Sequence, residues 1–452
     1  MSMYAKLQRR AARGRPVRVG LLGAGKFGSM YVSQAARTPG IHLTGVADLS
    51  PARARDSLRR VGWADERFAA RSFEDAARGA GTFVTDDAQA LIASPYVDIV
   101  IDATGSPAAG IRHVLLACEH RKHVVMVNVE ADALAGPLLA RRAADAGIVY
   151  SMASGDQPAL IAELVDWART IGLEVICAGK GTKYLPAYHE STPRTVWEHY
   201  GFTPEQVAAG DFNARMFNSF LDGTKSALEM AAVANACELD PPADGLAFPP
   251  CGVDDLPRVL RPLHDGGRLS RRGTVEVVSS LERDGRPVSR DLRWGVYVVF
   301  EAPTDYVRDC FQQYGLKTDD SGRYAAMYKP YHLIGLELGT SVASIATRGE
   351  ATGSSRDWRA DVVAVAKRAL KAGETLDGEG GFTVHGKLVP AATSLRLGAL
   401  PIGLAHGLAL QADVAAGQPV RWSDVRHDPA HPAIAFRREM ETLFGAPAPG
   451  RR

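Results

Sequence analysis

The chain has 452 residues, of which 46% are apolar and 23% charged, and its formal net charge is +2. This balance is typical of a globular protein with room for two or three domains, and it gives no electrostatic support for a nucleic-acid or membrane partner. No apolar run reaches the ~18 residues of a membrane span, and the five cysteines have no C-x-x-C spacing. These features predict a cytoplasmic protein without a disulfide framework or a structural zinc site.

The first predicted elements are a strand, a glycine-rich turn and a helix, in that order, over residues 17–36. Gly23 permits the tight turn, Gly25 lets a pyrophosphate approach the backbone, and Gly28 lets the helix pack closely on the strand. The next strand ends in Asp48, about 20 residues later, where an acid binds ribose hydroxyls. This context predicts a dinucleotide-binding turn, whereas a lone G-x-G-x-x-G would more often be structural.

Strands and helices alternate through the first 150 residues, as a doubly wound parallel sheet requires. Two further buried strands end in polar segments, one at Thr104 and Gly105 and one at Asn128 and Glu130. Ligands bind at the carboxyl ends of such strands. The predicted cofactor-binding residues are Gly23, Gly25, Lys26, Phe27, Gly28, Asp48, Arg53, Thr104, Gly105 and Asn128.

The choice between NAD and NADP depends on two residues. The carboxylate of Asp48 favours the free ribose of NAD and repels the extra phosphate of NADP. Arg53, five residues further on, could offset that repulsion. The residues themselves leave both cofactors open.

Beyond the nucleotide domain the pattern changes to an inserted α+β module and then to a glycine-rich, β-rich module. A helix over 216–237 and a β-hairpin over 274–300, turning at Asp284-Gly285, are predicted in the α+β module. The expected domains are a flexible basic arm (1–14), a dinucleotide-binding domain (15–155), a catalytic and dimerisation domain (156–360), a β-rich domain (361–430) and a C-terminal tail (431–452).

The first candidate site residues beyond the nucleotide domain are Asp156 and two lysines on a predicted loop that follows a strand. Asp156 could cap the helix that follows it or bind substrate, with neither role favoured. Lys180 and Lys183 stand among glycines, which suits a phosphate, carboxylate or enolate, although a solvated basic loop has the same pattern.

Four polar residues of the predicted 216–237 helix recur at steps of four, three and four: Asn218, Asp222, Lys225 and Glu229. They would share one face of a helix whose other faces are apolar. That face is either solvated or an active-site wall, and the apolar surroundings favour the wall.

Lys329, His332 and His189 are further candidates, the histidines as proton carriers or metal ligands, although a single histidine is more often structural. Hydrolase and kinase signatures are absent from the sequence. The predicted catalytic residues are Lys180, Lys183, Asp222, Lys225, Glu130 and His332, and the predicted substrate-binding residues are Asn218, Lys329, His189 and Asp156. A divalent metal is left open.

Taken together, the segments GAGKFG, NVEAD, SGDQP, GKGTK, SFLDGTK and KPYHLIG resemble one family. It is the homoserine-dehydrogenase-like oxidoreductases, in the branch similar in activity to deoxyxylulose-phosphate reductoisomerase (the DXR-like, or DRL, proteins). The resemblance covers about residues 15–430, and the β-rich part is similar to the SAF domain of that branch. It implies an NADPH-linked reduction or reductoisomerisation, and it tips the cofactor choice towards NADP.

The leading prediction is therefore an NAD(P)H-dependent oxidoreductase, with reductoisomerase activity as its more specific form, that acts on a small polar carbonyl or hydroxy compound as a homodimer. One alternative is a homoserine- or aldehyde-type dehydrogenase without rearrangement. The other is a non-catalytic dinucleotide sensor, against which the clustered lysines and acids speak.

Overall fold

The computed structural model describes residues 2–79, 81–209 and 212–445, and the chain divides into two compact units. The first unit holds the residues up to Leu160 together with His332–Arg356, and the second holds Ile161–Tyr331 and the residues from Asp357 on. The chain thus returns to the first unit after most of the second has been built. Among the described residues, no helix combines the length and hydropathy that a bilayer crossing needs.

Both units contain strands and α-helices. The strands are β1 (Val17–Leu22), β2 (Ile41–Ala47), β3 (Phe83–Thr85), β4 (Ile99–Asp102), β5 (His123–Met126), β6 (Tyr150–Met152), β7 (Glu174–Thr182), β8 (Thr274–Ser279), β9 (Val296–Glu301), β10 (Tyr324–Lys329), β11 (Ala360–Ala366), β12 (Thr375–Asp377), β13 (Val384–Pro390) and β14 (His406–Ala409). The α-helices are α1 (Met3–Ala12), α2 (Lys26–Ala35), α3 (Pro51–Arg60), α4 (Phe73–Gly79), α5 (Ala88–Ala93), α6 (Pro107–Glu119), α7 (Val129–Asp145), α8 (Gln157–Thr170), α9 (Val196–Tyr200), α10 (Pro204–Ala209), α11 (Ala214–Leu221), α12 (Thr224–Cys237), α13 (Leu256–Val259), α14 (Asp305–Gln313), α15 (Gly339–Arg348), α16 (Ala391–Leu397) and α17 (Pro432–Gly445).

The first unit is built on a six-stranded parallel sheet of order β3-β2-β1-β4-β5-β6. This is the doubly wound Rossmann order, in which the chain reverses direction across the sheet between β1 and β4. The central strands are almost entirely apolar because helices cover both faces of a parallel sheet. The predicted fold class, a Rossmann sheet with an α+β domain and a small β-rich domain, is confirmed.

The predicted flexible arm at the N-terminus is instead the helix α1. Ser2 caps it, and its Leu7 side chain is buried in the core of the first unit. Lys6 Nζ donates to the carbonyl of Thr347 at 2.9 Å, and Arg10 donates to that of Ala346 at 3.3 Å. These basic side chains satisfy carbonyls of the last turn of α15, where positive charge is favourable.

The second unit contains a four-stranded mixed sheet of order β10-β9-β7-β8. β7 pairs in parallel with β8 and antiparallel with β9, so it lies between the two strands of the predicted hairpin. The prediction of a 274–300 hairpin is therefore wrong. Only the short pairing of Leu281 with Pro287, around the Asp284-Gly285 turn, forms locally. A strand made earlier in the chain occupies the place that a local hairpin would need.

The predicted continuous helix over 216–237 is broken in two. α11 ends at Leu221, Asp222 is its C-cap, and Gly223 has φ +87° before α12 begins at Thr224. That conformation is natural for glycine and breaks the helical path. The side chains before and after the break therefore do not share one helix face.

The β-rich part pairs β11 with β13 and β12 with β14, both antiparallel. The predicted tail from 431 contains α17 instead of loose chain. Its Arg437 is completely buried and pairs with Asp361 of β11 at 2.6 Å, which fixes the helix to the β-rich part. The Pro-, Ala- and Gly-rich composition of residues 445–452 predicts disorder. Gly445 is instead the last residue of α17, and residues 446–452 lie outside the described residues.

Candidate active site

The three glycines of the first turn occupy three different environments. Gly23 has φ +91°, and an added Cβ would lie 2.7 Å from the carbonyl oxygen of Ala103. A Cβ at Gly28 would collide with the carbonyl of Gly23, whereas one at Gly25 would meet nothing within 4 Å. Gly23 and Gly28 are thus required by packing, while Gly25 leaves open space beside the helix N-terminus. That space fits the pyrophosphate of a dinucleotide.

Asp48 follows β2 and is buried against the same turn. Its Oδ2 accepts the N–H of Ala24 at 2.9 Å, and its Oδ1 accepts the N–H of Ser50 and a guanidinium N–H of Arg53, each at 2.9 Å. Burial works against ionisation, yet these donors hold the pKa of Asp48 below its ordinary value. The Arg53 side chain is 66% exposed, so its guanidinium is accessible to solvent beside the carboxylate.

A polar network joins the ends of β4 and β5. Asn128 caps α7, and its Nδ2 donates to Thr104 Oγ1 at 3.2 Å and to the carbonyl of Ser106 at 2.8 Å. Asp102 accepts from Thr104 Oγ1 at 2.7 Å and pairs with His113 Nδ1 at 2.8 Å. The Asn128 amide is therefore buried and positions the exposed segment that contains Thr104 and Gly105.

The other predicted residues of the first unit differ in burial. Lys26 is exposed, while Phe27 packs against the core. Asp156 is buried, and its Oδ1 accepts the N–H of Gln157 at 2.9 Å at the start of α8. Glu130, in the first turn of α7, and His332 are half-buried.

In the second unit, Lys180 lies within β7 and not on the loop that was predicted. A Cβ at Gly179 would collide with the carbonyl of Glu276, and one at Gly181 with that of Leu292. The glycines therefore allow neighbouring backbone to approach the strand closely, and they do not make it flexible. The Lys180 ammonium forms an ion pair with Glu229 of α12, and both side chains are buried.

The helix α12 carries one cationic side chain, Lys225. It precedes Glu229 by four residues, so the two side chains lie on the same face of the helix, and both are buried. Lys183, beyond β7, donates to the carbonyl of His199, and its ammonium lies 5.4 Å from the Tyr200 ring centre. Burial, with Arg293 nearby, lowers the pKa of Lys183.

Asp222 pairs with a residue that no local pattern indicates. Lys367 Nζ donates to Asp222 Oδ2 at 2.7 Å, to the carbonyl of Ser191 at 2.7 Å and to that of Gly381 at 2.8 Å. Both members of the pair are almost completely buried. The predicted grouping of Asp222 with Lys225 on one helix face is wrong because the chain turns at Gly223.

Two of the predicted substrate-binding residues of this unit, Asn218 and His189, adjoin the Asp222–Lys367 pair, whereas Lys329 lies near the surface. Asn218 is buried, and its amide group bonds Ser191 and the carbonyl of Gly380. His189 Nδ1 donates to the carbonyl of Asp222 at 2.7 Å, so the unprotonated Nε2 accepts from the Tyr184 hydroxyl at 3.0 Å. Burial lowers the pKa of His189, which favours this neutral form. Lys329 pairs with Glu163 near the surface at 2.7 Å.

Two side chains of these networks were not among the predicted site residues. Glu229 was placed on the polar face by its spacing, but nothing local linked it to Lys180. Lys367 lies 145 residues after Asp222. Over the described ranges, no group of three or more histidine, cysteine, aspartate or glutamate side chains is arranged to hold a metal ion.

Three family models match the chain. "Homoserine dehydrogenase, NAD binding domain" matches residues 23–150, "Oxidoreductase DRL, catalytic domain" matches 155–338, and "SAF domain" matches 361–426. The resemblance to the DRL branch is thereby confirmed, and the chain is an oxidoreductase with an NAD-binding domain. The catalytic-domain match supports an enzyme over the alternative of a non-catalytic sensor.

Whole proteins resemble the chain less closely. No curated protein matches it. A myo-inositol dehydrogenase from Lactobacillus casei, solved with NAD(H) and myo-inositol, is 19% identical with a TM-score of 0.28, over 40% of this chain and 50% of its own. A "probable dehydrogenase" from Thermotoga maritima is 13% identical with a TM-score of 0.37, over 75% and 91%. The chain spans about half the length of the Lactobacillus enzyme, and these likenesses assign no substrate to it.

Proposed function

We propose that this DRL-type oxidoreductase uses NAD(P)H to reduce a small polar carbonyl compound, and that Lys180, Glu229 and Lys225 bind and protonate its oxygen. The observation that carries this proposal is the buried Lys180–Glu229 pair, with Lys225 one helical turn away. Burying two charges costs several kcal/mol per ion in solvation, so such a pair is weak evidence for a stabilising role. Charged groups held away from water are common where charge develops during a reaction.

The proposed roles follow from the chemistry of a carbonyl reduction. A bound reduced nicotinamide would supply the hydride that adds to the carbonyl carbon. The oxygen then gains negative charge, which the ammonium groups of Lys180 and Lys225 stabilise. Lys180 gives this oxygen a proton, and Glu229 favours the charged form of the lysine before the transfer.

The substrate class is proposed from the DRL match, which covers 155–338. Within that branch the resemblance implies deoxyxylulose-phosphate-type chemistry, in which a carbon-skeleton rearrangement precedes the reduction. A homoserine- or aldehyde-type reduction without rearrangement is the second candidate, because the nucleotide domain matches the homoserine dehydrogenase model. Deoxyxylulose phosphate and a small panel of aldehydes are therefore the substrates to test first.

NADPH is the proposed cofactor. The Asp48 carboxylate would repel a ribose phosphate, but two backbone N–H groups and Arg53 already neutralise it. Arg53 holds Asp48 through one nitrogen, and its exposed guanidinium can also bind that phosphate. No divalent metal is assigned, and homodimeric assembly and a cytoplasmic location stay predictions.

The test compares NADPH oxidation by the wild-type chain with that by Lys180→Met and Glu229→Gln on each substrate. Removing one donor from a developing oxyanion commonly costs about 10²–10³ in turnover. Lys371→Met is the matched control, since this lysine pairs with Asp413 on the surface. Wild-type turnover in both variants, with folding verified by melting, would refute the assigned roles.

A further inference from the structure

A cavity of about 540 Å³ lies within the second unit, between the catalytic part and the β-rich part. Its size is within the range of small-molecule sites. Gly223 and Ala227 form its wall on the side of α12, and Val365, His385 and Lys387 contribute from β11 and β13. The lining includes neither Asn128 nor the Lys180–Glu229 pair, but it does include Lys367, the partner of Asp222.

The helix α12 separates this cavity from the proposed reaction site. Ala227 lines the cavity, whereas Glu229, two residues later, faces Lys180. Two positions along an α-helix differ by about 200°, so the two side chains project from opposite sides of α12. A ligand in the cavity would therefore lie on the other side of the helix from Lys180.

Among the buried side chains that line the cavity, Lys367 is the charged one, and the others are apolar or imidazole. His189 and His385 stack with ring centres 4.6 Å apart, and Leu246, Phe248 and Leu388 also line the cavity. Burial, with His189 and Lys367 nearby, lowers the pKa of His385 to about 3, so its imidazole is neutral. The Nδ1 atom of His385 is buried and makes no hydrogen bond to any described residue.

Charges of both signs surround this surface. Glu190, Asp244 and Lys387 line the cavity and are exposed, and none has an ion-pair partner in the described part of the chain. The fourth charge, on Lys367, is already satisfied by Asp222 and two carbonyls. The cavity thus offers one free ammonium group and two free carboxylates beside an apolar and imidazole surface.

Hydrogen bonds to its backbone fix the segment of the cavity wall that follows Asp244. The buried carboxylate of Glu276 accepts the backbone N–H groups of Ala247 and Phe248 at 3.1 and 3.3 Å. Arg283 donates to the carbonyl of Ala247 at 2.8 Å. These hydrogen bonds hold the backbone of this part of the wall in one conformation.

We propose that this cavity binds a zwitterion, a molecule with an ammonium and a carboxylate group on an apolar body, of the size of an amino acid or a dipeptide. Lys387 pairs with its carboxylate, Glu190 and Asp244 with its ammonium group, and the apolar body lies against Phe248 and the imidazoles. In this arrangement each charged group of the ligand meets a cavity residue of opposite charge, which makes the cavity selective for a zwitterion. The inference goes beyond the proposed reduction and does not depend on it.

The experiment measures binding to the full chain by calorimetry, without cofactor or substrate. The probes are L-leucine and leucyl-leucine, with N-acetyl-leucine, which lacks the ammonium group, and leucinamide, which lacks the carboxylate. We expect at least one zwitterion to bind and each singly charged analogue to bind about tenfold more weakly or worse. In Lys387→Met the preference for leucine over leucinamide should disappear.

Lys387, Glu190 and Asp244 are exposed, so we expect their substitution to leave the chain folded. Lys371→Met is the control variant in the same β-rich part. The double variant Glu190→Gln/Asp244→Asn should lose the preference for leucine over N-acetyl-leucine. Failure of both zwitterions to bind, or equal binding of the analogues, would overturn the inference. If Glu229→Gln lost leucine binding to the same extent as these variants, the cavity would be part of the reaction site. That result would overturn the inference of a separate site and would leave the proposed reduction untouched.

Discussion

Lys180 of β7 and Glu229 of α12 form an ion pair whose two side chains are only 7% and 5% exposed. The pair joins the central part of the mixed sheet to the helix packed on it, across 49 residues of chain. Gly179 and Gly181 on either side of the lysine let the neighbouring backbone close over the strand. The pair is therefore built into the core, and its removal affects stability as well as turnover.

We expect Lys180→Met and Glu229→Met each to destabilise the chain by about 3–5 kcal/mol, because each takes away one charge of a buried ion pair. The double variant should be less destabilised than the sum of the two single variants, since both members of the pair are then removed together. Urea unfolding of the four proteins measures this coupling. Additive single effects would mean that the two side chains do not interact.

Two substitutions in the glycine turn should have different effects, one on cofactor binding and the other on the melting temperature. Gly25→Val should prevent binding of NADH and NADPH while the melting temperature stays near wild type, because a Cβ there meets open space. Gly28→Val should instead lower the melting temperature, because its side chain would collide with the Gly23 carbonyl. Fluorescence titration and thermal melting distinguish the two. Unchanged cofactor binding in Gly25→Val would contradict the assignment of the pyrophosphate site.

Cofactor choice should depend on Arg53. Arg53→Ala removes the guanidinium that can pair with a ribose phosphate, and it leaves the Asp48 carboxylate less neutralised. A lost charge-assisted hydrogen bond costs about 1.5–3 kcal/mol, so NADPH should bind more than about tenfold more weakly while NADH changes little. The ratio of the two dissociation constants is the measurement. An unaltered ratio would place the selection elsewhere.

Asp132 should make stability depend on pH in an acidic window. Burial raises its pKa to about 6, although Tyr150 and Ser355 donate to its carboxylate. A raised pKa of an acid means that the folded state holds the proton longer, so this contribution is complete below about pH 3.8 and is lost by about pH 6. The difference is on the order of 3 kcal/mol.

The test is the free energy of unfolding of wild type and Asp132→Asn between pH 4 and 7, where the wild-type values should fall more steeply with rising pH. The amide oxygen of asparagine can still accept from Tyr150. Parallel pH profiles for the two proteins would show that Asp132 does not titrate in this window.

Local signals were sufficient for the parallel sheet and the glycine turn of the first unit. The order of strand, glycine turn and helix, the acid at position 48 and the alternation that follows depend on neighbours in sequence, because βαβ units are built from consecutive elements. The arrangement of Gly23, Gly25 and Gly28 could therefore be predicted, including the open space at Gly25.

Tertiary structure decided the second unit. The sequence indicated lysines, acids and two strands, but the partner of each was set by segments far away: β7 separates β8 from β9, Lys180 meets Glu229, and Asp222 meets Lys367. The helix break at Gly223, set by the backbone angle of one residue, separated Asn218 and Asp222 from Lys225 and Glu229, which the spacing had placed on one face. Sequence periodicity determines which face of one element a residue occupies, whereas charge pairing in a core depends on which elements pack together, and that is fixed only when the whole chain is folded.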